Sequence, residues 1–267
     1  MGKIGNYICL ASCLLLILVG AFFDLSITQN LYIGANAVSS ILGIVAQSLM
    51  VLMGAFCLVV LFESAKEKND FIFSCIKLAE IILAFVFVFY GFYKAYSAVW
   101  FLIISSFLSA IIVFFMWQIV KRIPQEKFGA YLSFCKKLLL YIVIIFVLNK
   151  GIKYVWGRPR YVDLITTLGL EAYSPFWQIH FCAGYESFYS GHTTAVCSVL
   201  PLLYVIKDLP YSNKIKNLLS FSLLCFVFVT MLSRLISGRH FLTDVVFAFL
   251  ICFVVCLFIF KKTKIKQ

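Results

Sequence analysis

Charge is what this sequence has least of. Only 13% of its 267 residues are Asp, Glu, Lys or Arg, while 63% are hydrophobic and the mean hydropathy is +1.03. A soluble domain carries about 25% charged residues, so the shortage excludes a water-soluble globular domain and points to an integral membrane protein. Acidic residues are the scarcer sign, 11 against 23 basic, which leaves a net charge of +12. Ten cysteines are present but none has the paired spacing of a zinc or disulfide framework. Nine of the ten lie in or beside apolar segments, where cysteine behaves as a small hydrophobe; only Cys182 falls in a polar loop. There is no internal repeat and no low-complexity linker. No small-x-small cleavage site follows the first apolar run ("LVGAFFDLSI"), so that run is expected to remain as a span.

Apolar runs long enough to span a bilayer, at roughly 20 residues each, lie at about 7–23, 45–63, 72–93, 98–120, 134–150, 192–206, 216–234 and 241–260. Lys77 and Glu80 interrupt the third, but three residues apart they share a helix face and can pair. The expected fold is therefore all-α, a polytopic membrane bundle of about eight helices, with six or seven as alternatives. With both termini in the cytoplasm, fifteen of the 23 basic residues flank the inner ends of these runs. Only Lys94, Lys150, Lys153, Arg158, Arg160, Arg234 and Arg239 fall outside. This asymmetry is the positive-inside pattern. The basic balance is thus topological, and nucleic acid is not an expected partner. Residues 1–130 divide from 131–267, which contain one long polar excursion, the external loop 151–191.

Six of the seven outside cations gather in "KGIKYVWGRPRY" (150–161) and "SRLISGRHFLTD" (233–244), and this topology brings both to one membrane surface with "SFYSGH" (187–192). In the last stretch of the chain His240 and Asp244 stand four apart, on one face of a helix start. A carboxylate one turn into a membrane helix is costly and by default functional. Its natural use is to fix the imidazole tautomer so that the other nitrogen is free to attack; a structural helix cap is the alternative. Arg234 offers a guanidinium fork suited to phosphate oxygens. Ser190, Gly191 and His192 open a helix, where backbone N–H groups cradle anions and a histidine can donate a proton to a departing oxygen. Lys153 and Arg160 repel each other unless an anion lies between them. Arg158 and Arg239 are read as lipid headgroup contacts. His180 and His192 fit no usual zinc-ligand spacing, so no metal is expected. The inventory suits in-line phosphoryl transfer.

These stretches resemble the type 2 phosphatidic acid phosphatase superfamily, which includes lipid phosphate phosphatases, glucose-6-phosphatase and vanadium haloperoxidases. The family pattern is Lys, six residues, Arg-Pro; then Pro-Ser-Gly-His; then Ser-Arg, five residues, His, three residues, Asp. Here it reads Lys153 and Arg160; Ser190-Gly191-His192; Ser233-Arg234, His240 and Asp244. Tyr161 and Tyr189 replace the two prolines, which puts local backbone geometry in doubt. The resemblance covers about 150–260. It implies that His240 attacks phosphorus to form a phosphohistidine, with Asp244 holding its ring. It further implies that His192 is the general acid, then base, that Lys153, Arg160, Ser190, Gly191 and Arg234 hold the phosphate oxygens, and that no cofactor is needed.

The expected substrate is a membrane lipid phosphate, at the outer face of a bacterial cytoplasmic membrane. Tyr173, Phe176, Trp177 and Tyr185 suit the headgroup level, or else pack between loop and core. "SF-x-SGH" after a long loop resembles bacterial lipid A phosphatases, so lipid A phosphate is favoured. Phosphatidylglycerophosphate, undecaprenyl pyrophosphate and phosphatidate are alternatives. From other classes, an anionic lipid transporter would use the same cations without chemistry, and an inactive scaffold would keep the frame alone. A soluble haloperoxidase fits this chain least.

Overall fold

The computed structural model describes residues 3–65, 111–181 and 183–261. The expected span at 72–93 with its Lys77–Glu80 pair, most of the span at 98–120, and Cys182 lie outside those residues. Among the described residues every regular element is a helix, and there is no strand. Long helices are α1 (Lys3–Leu31), α2 (Ala37–Ala65), α4 (Gln125–Trp156), α7 (Asn213–Ile236) and α8 (Leu242–Phe260). These five are long and apolar enough to cross a membrane by length and composition. A shorter apolar helix, α3 (Ile111–Lys121), precedes α4.

The run at 192–206 differs from its expectation as a single span. It forms two short helices, α5 (Gly191–Cys197) and α6 (Leu202–Asp208), joined by a wound segment. The break falls at Pro201, which has no N–H to give the carbonyl four residues earlier. That carbonyl, on Cys197, instead accepts from Leu200 N–H (3.0 Å) and from the buried Tyr141 hydroxyl of α4 (2.9 Å). Bonds between residues three apart run on from Ser198 to Tyr204, so the backbone stays satisfied in an apolar setting.

The main core joins α2, α4, α5, α7 and α8 through Ala46, Cys57, Val60, Tyr141, Ile145, Val196, Val227, Cys252 and Phe260. Small residues let the helices approach closely, which is how membrane helices associate where lipid is as apolar as the core. On the far side of α8, Cys13 and Ile17 of α1 pack against Val245 and Val246. The outer surface stays greasy: Phe22 is 75% and Phe258 86% exposed. In water such residues would be anomalous; against acyl chains they are the favoured surface.

Both joined helix ends and the polar loop meet at one end of this bundle. The N–H of Ile33, after α1, donates to the carbonyl of Ile236, the last residue of α7 (2.9 Å). The helix α4 ends at Gly157, whose φ of 60° is left-handed and whose Cα faces the His180 carbonyl so closely that a Cβ would stand 2.1 Å from it. The loop folds back there, with His180 N–H donating to the Trp156 carbonyl (2.9 Å) and the Trp156 indole donating to the Phe176 carbonyl (2.6 Å). Phe176 and Tyr173 turn inward, onto Phe188 and Phe247 and onto Phe241 respectively, while Trp177 remains 55% exposed. Replacing Gly157 with alanine forces a strained φ, costing about 1–3 kcal/mol, and displaces the loop as well. A clear fall in the thermal midpoint of the detergent-solubilised protein is expected; an unchanged midpoint would contradict the close approach.

Candidate active site

A cavity of about 430 Å³ opens at this end of the bundle. The end of α4 brings Lys153 to its wall, and the segment after Gly157 brings Arg160. The start of α5 adds Gly191 and His192, the end of α7 adds Arg234, and the turn before α8 adds Arg239 and His240. All three sequence stretches therefore converge. With Lys150, five cations line the cavity against one carboxylate, Glu186. Such a surface attracts an anion strongly.

Each cation is held differently. Lys153 is buried and its ammonium donates to the Glu186 backbone carbonyl (2.6 Å). Arg234 donates to the carbonyl and the hydroxyl (2.6 Å) of Ser39 on α2, and through Nε to Ser233 Oγ (3.1 Å). Ser39 in turn donates to the Ser233 carbonyl (2.8 Å), so α2 and α7 are clipped together at the guanidinium. The Arg160 backbone N–H is held by Asp163 (2.9 Å), but its buried Nε has no partner. A buried unpaired donor is costly, and an anion in the cavity would satisfy it. Arg239 is exposed.

His240 is 2% exposed. Its Nδ1 lies 2.8 Å from the Ser187 carbonyl and 3.8 Å from Asp244 Oδ2. A carbonyl only accepts, so the ring proton sits on Nδ1 and the lone pair on Nε2. Burial pushes the pKa of His240 down to about 4, and neighbouring Lys153 also disfavours the cation. The ring is therefore neutral at pH 7, with Nε2 free to attack. Asp244 was expected to hold the imidazole; it stands beside the ring at ion-pair distance, but the ring's short hydrogen bond goes to the carbonyl. Asp244 instead accepts from Ser187 Oγ (2.5 Å) and Phe241 N–H (2.9 Å), fixing the residue whose carbonyl orients the ring.

Two expectations are corrected. Arg158 is not a headgroup contact: it is fully buried, donating to Asp244 (2.6 Å), to Asp24 of α1 (3.0 Å) and to the Ser174 carbonyl (2.9 Å). Its guanidinium also lies over the Phe241 ring (4.2 Å). Burial alone would weaken its hold on the proton, but Asp244 and Asp24 outweigh this and keep it charged. Ser190 does not line the cavity; it caps α5, its Oγ accepting from Thr193 N–H (3.3 Å). The Tyr189 turn before it is pinned by Asn149, whose amide donates to the Tyr189 carbonyl (3.0 Å). Tyr161, the other substitute for a family proline, is buried against Tyr32 (5.1 Å).

Sequence reasoning missed Asp24, Ser39, Gly43, Gln47, Asn149 and Ser187. Gln47 of α2 sits 3.5 Å from His192 Nε2. Gly43, one turn earlier on α2, lies against both His192 and Arg234. The one usable signal was Asp24, a carboxylate at the edge of the first apolar run.

Residues 134–266 match the PAP2 superfamily. No curated protein and no solved structure matches the chain. The matched segment carries every cavity cation and both histidines, whereas Asp24, Ser39, Gly43 and Gln47 lie before it.

At Gly43 a Cβ would stand 2.9 Å from Arg234 Nη1 and 2.9 Å from His192 Cδ2. Gly43→Ala is therefore expected to push both groups off position and to weaken inorganic phosphate binding about tenfold, the scale of one charged hydrogen bond. Calorimetry on the solubilised protein checks this; unchanged affinity would contradict α2 as a wall of the site.

Proposed function

Since this chain belongs to the PAP2 superfamily, which includes phosphatases acting on phosphoester bonds, we propose that it hydrolyses a phosphomonoester or pyrophosphate on a membrane lipid headgroup, through a phosphohistidine and without metal. The setting is the outer face of a bacterial cytoplasmic membrane, and lipid A phosphate is the favoured substrate. One observation carries the reading: His240, with Nδ1 on the Ser187 carbonyl and Nε2 left for the substrate, shares a cavity with five cations.

In the first step the Nε2 lone pair of His240 attacks phosphorus as the bond to the lipid oxygen breaks. His192 gives its proton to that departing oxygen. In the second step His192 takes a proton from water, the water oxygen attacks phosphorus, and the N–P bond breaks to release inorganic phosphate. Lys153, Arg160, Arg234 and the Gly191 N–H hold the equatorial oxygens, where charge accumulates in the transition state. Arg239 is exposed at the cavity, which supports its contact with the rest of the headgroup. A cavity of about 430 Å³ is roomier than one phosphate requires, which supports a bulky polar headgroup. The exposed Trp177 supports approach from the membrane interface.

The test is phosphate release from a panel of detergent-dispersed lipid phosphates, with chelator present: lipid A, phosphatidylglycerophosphate, undecaprenyl pyrophosphate and phosphatidate. Wild type is expected to release phosphate, fastest from lipid A, and His240→Ala to lose at least about a thousandfold in kcat, as for loss of a nucleophile. No release from any lipid, with equal lipid binding by both proteins, would overturn the enzyme reading in favour of a transporter or scaffold.

A further inference from the structure

Asp24 and Asp244 are the buried carboxylates among the described residues, and a single guanidinium lies between them. Arg158 Nη1 meets Asp244 Oδ1 at 2.6 Å and Nη2 meets Asp24 Oδ2 at 3.0 Å, with all three side chains fully buried. Thr243 completes the group. Its N–H donates to Asp24 Oδ1 (3.0 Å), and its hydroxyl accepts from Arg158 Nη1 (3.0 Å) and donates to Asp24 Oδ2. Asp24 stands on α1, outside the segment that matches the family.

The charge balance of this group matters to the site beside it. Arg158 by itself cancels Asp244, so a simple pair would present no net charge to His240. With Asp24 ionised, the form its contacts with Arg158 and Thr243 favour, the group carries one negative charge in excess. In the proposed reaction Nδ1 keeps its proton, donated to the Ser187 carbonyl, while Nε2 forms the bond to phosphorus. The imidazole then becomes cationic. In a water-excluded site a fixed opposite charge stabilises that cation as it forms and needs no reorganisation. The link is also mechanical: Asp24 holds the first turn of α8 through Thr243, and Asp244 on the same turn holds Ser187, which holds the ring.

We propose that Asp24 is a positioning residue of the phosphatase site, supplying the excess negative charge that lets the buried Asp24–Arg158–Asp244 group stabilise the cationic ring of His240 during phosphoryl transfer. The proposal rests on the function proposed above. It assigns to α1 a role in rate and not in substrate capture, because Asp24 does not touch the cavity.

The test compares full-length wild type, Asp24→Asn, Asp24→Glu and Ile17→Ala in detergent, using the best lipid phosphate. Ile17 packs α1 onto α8 without touching the ion group, so its truncation reports loss of packing alone. For Asp24→Asn, kcat is expected to fall about tenfold or more with KM within about threefold, the signature of an interaction made in the transition state. Orthovanadate, which becomes a five-coordinate mimic of the transition state when the histidine nitrogen bonds to vanadium, should inhibit it correspondingly less, while inhibition by inorganic phosphate stays close to wild type. Asp24→Glu should recover part of kcat, and Ile17→Ala should keep kcat within about threefold even where its thermal midpoint falls further. Unchanged kcat in Asp24→Asn, or a loss no greater than that of Ile17→Ala at matched midpoint, would overturn the proposal while an active wild type leaves the phosphatase standing. An inactive wild type would overturn both.

Discussion

A guanidinium buried between two carboxylates is the constraint on which the cavity end of this bundle depends. Arg158, Asp24 and Asp244 come from three separate segments: the turn after α4, the first helix and the last. Leaving any of them unpaired costs about 3–5 kcal/mol, a large part of the stability of a typical domain. The three segments must therefore arrive together. Once they do, Asp244 fixes Ser187 and the Phe241 N–H, Ser187 fixes the His240 ring, and the turn before α8 presents that ring to the cavity. Structure and chemistry share one set of bonds here.

The cavity is equally composite. Its cations and histidines come from α4, the turn after it, α5, α7 and the turn before α8, all within the matched family segment, but the opposite wall is α2. Ser39 grips Arg234, Gln47 reaches His192, and the missing side chain of Gly43 lets the helix lie against both. Helix α2 is thus built into the site and does not merely anchor it. The clip between α2 and α7 keeps a long, flexible arginine in one orientation, which reduces the entropy that binding an anion there would cost.

Much of this was legible beforehand because its cause is local. Low charge and long apolar runs announced a membrane bundle. The spacing of Lys153, Arg160, Ser190-Gly191-His192, Arg234, His240 and Asp244 announced the family, and all but Ser190 and Asp244 line the cavity. What was not legible depends on contacts across the chain. Four residues of sequence separation place His240 and Asp244 on one helix face, but they cannot show that a backbone carbonyl 53 positions away takes the ring proton instead. Arg158 looked like one more cation at a membrane surface because its partner Asp24 lies 134 residues earlier. Ser190 looked free because serine at a helix start serves equally as cap and as ligand, and only the fold decides. The break at Pro201 in the run 192–206 went unseen because hydropathy does not register a missing N–H.

The central claim is that the Nε2 nitrogen of His240 takes the phosphoryl group. It is tested most directly by mixing the protein with a lipid carrying labelled phosphate, quenching in alkali within the first turnover, and mapping the labelled peptide. The account predicts an acid-labile, alkali-stable label on His240, bonded through Nε2 and absent from a His240→Ala protein. Labelled phosphate released with no label on the protein, or label on another residue, would contradict it.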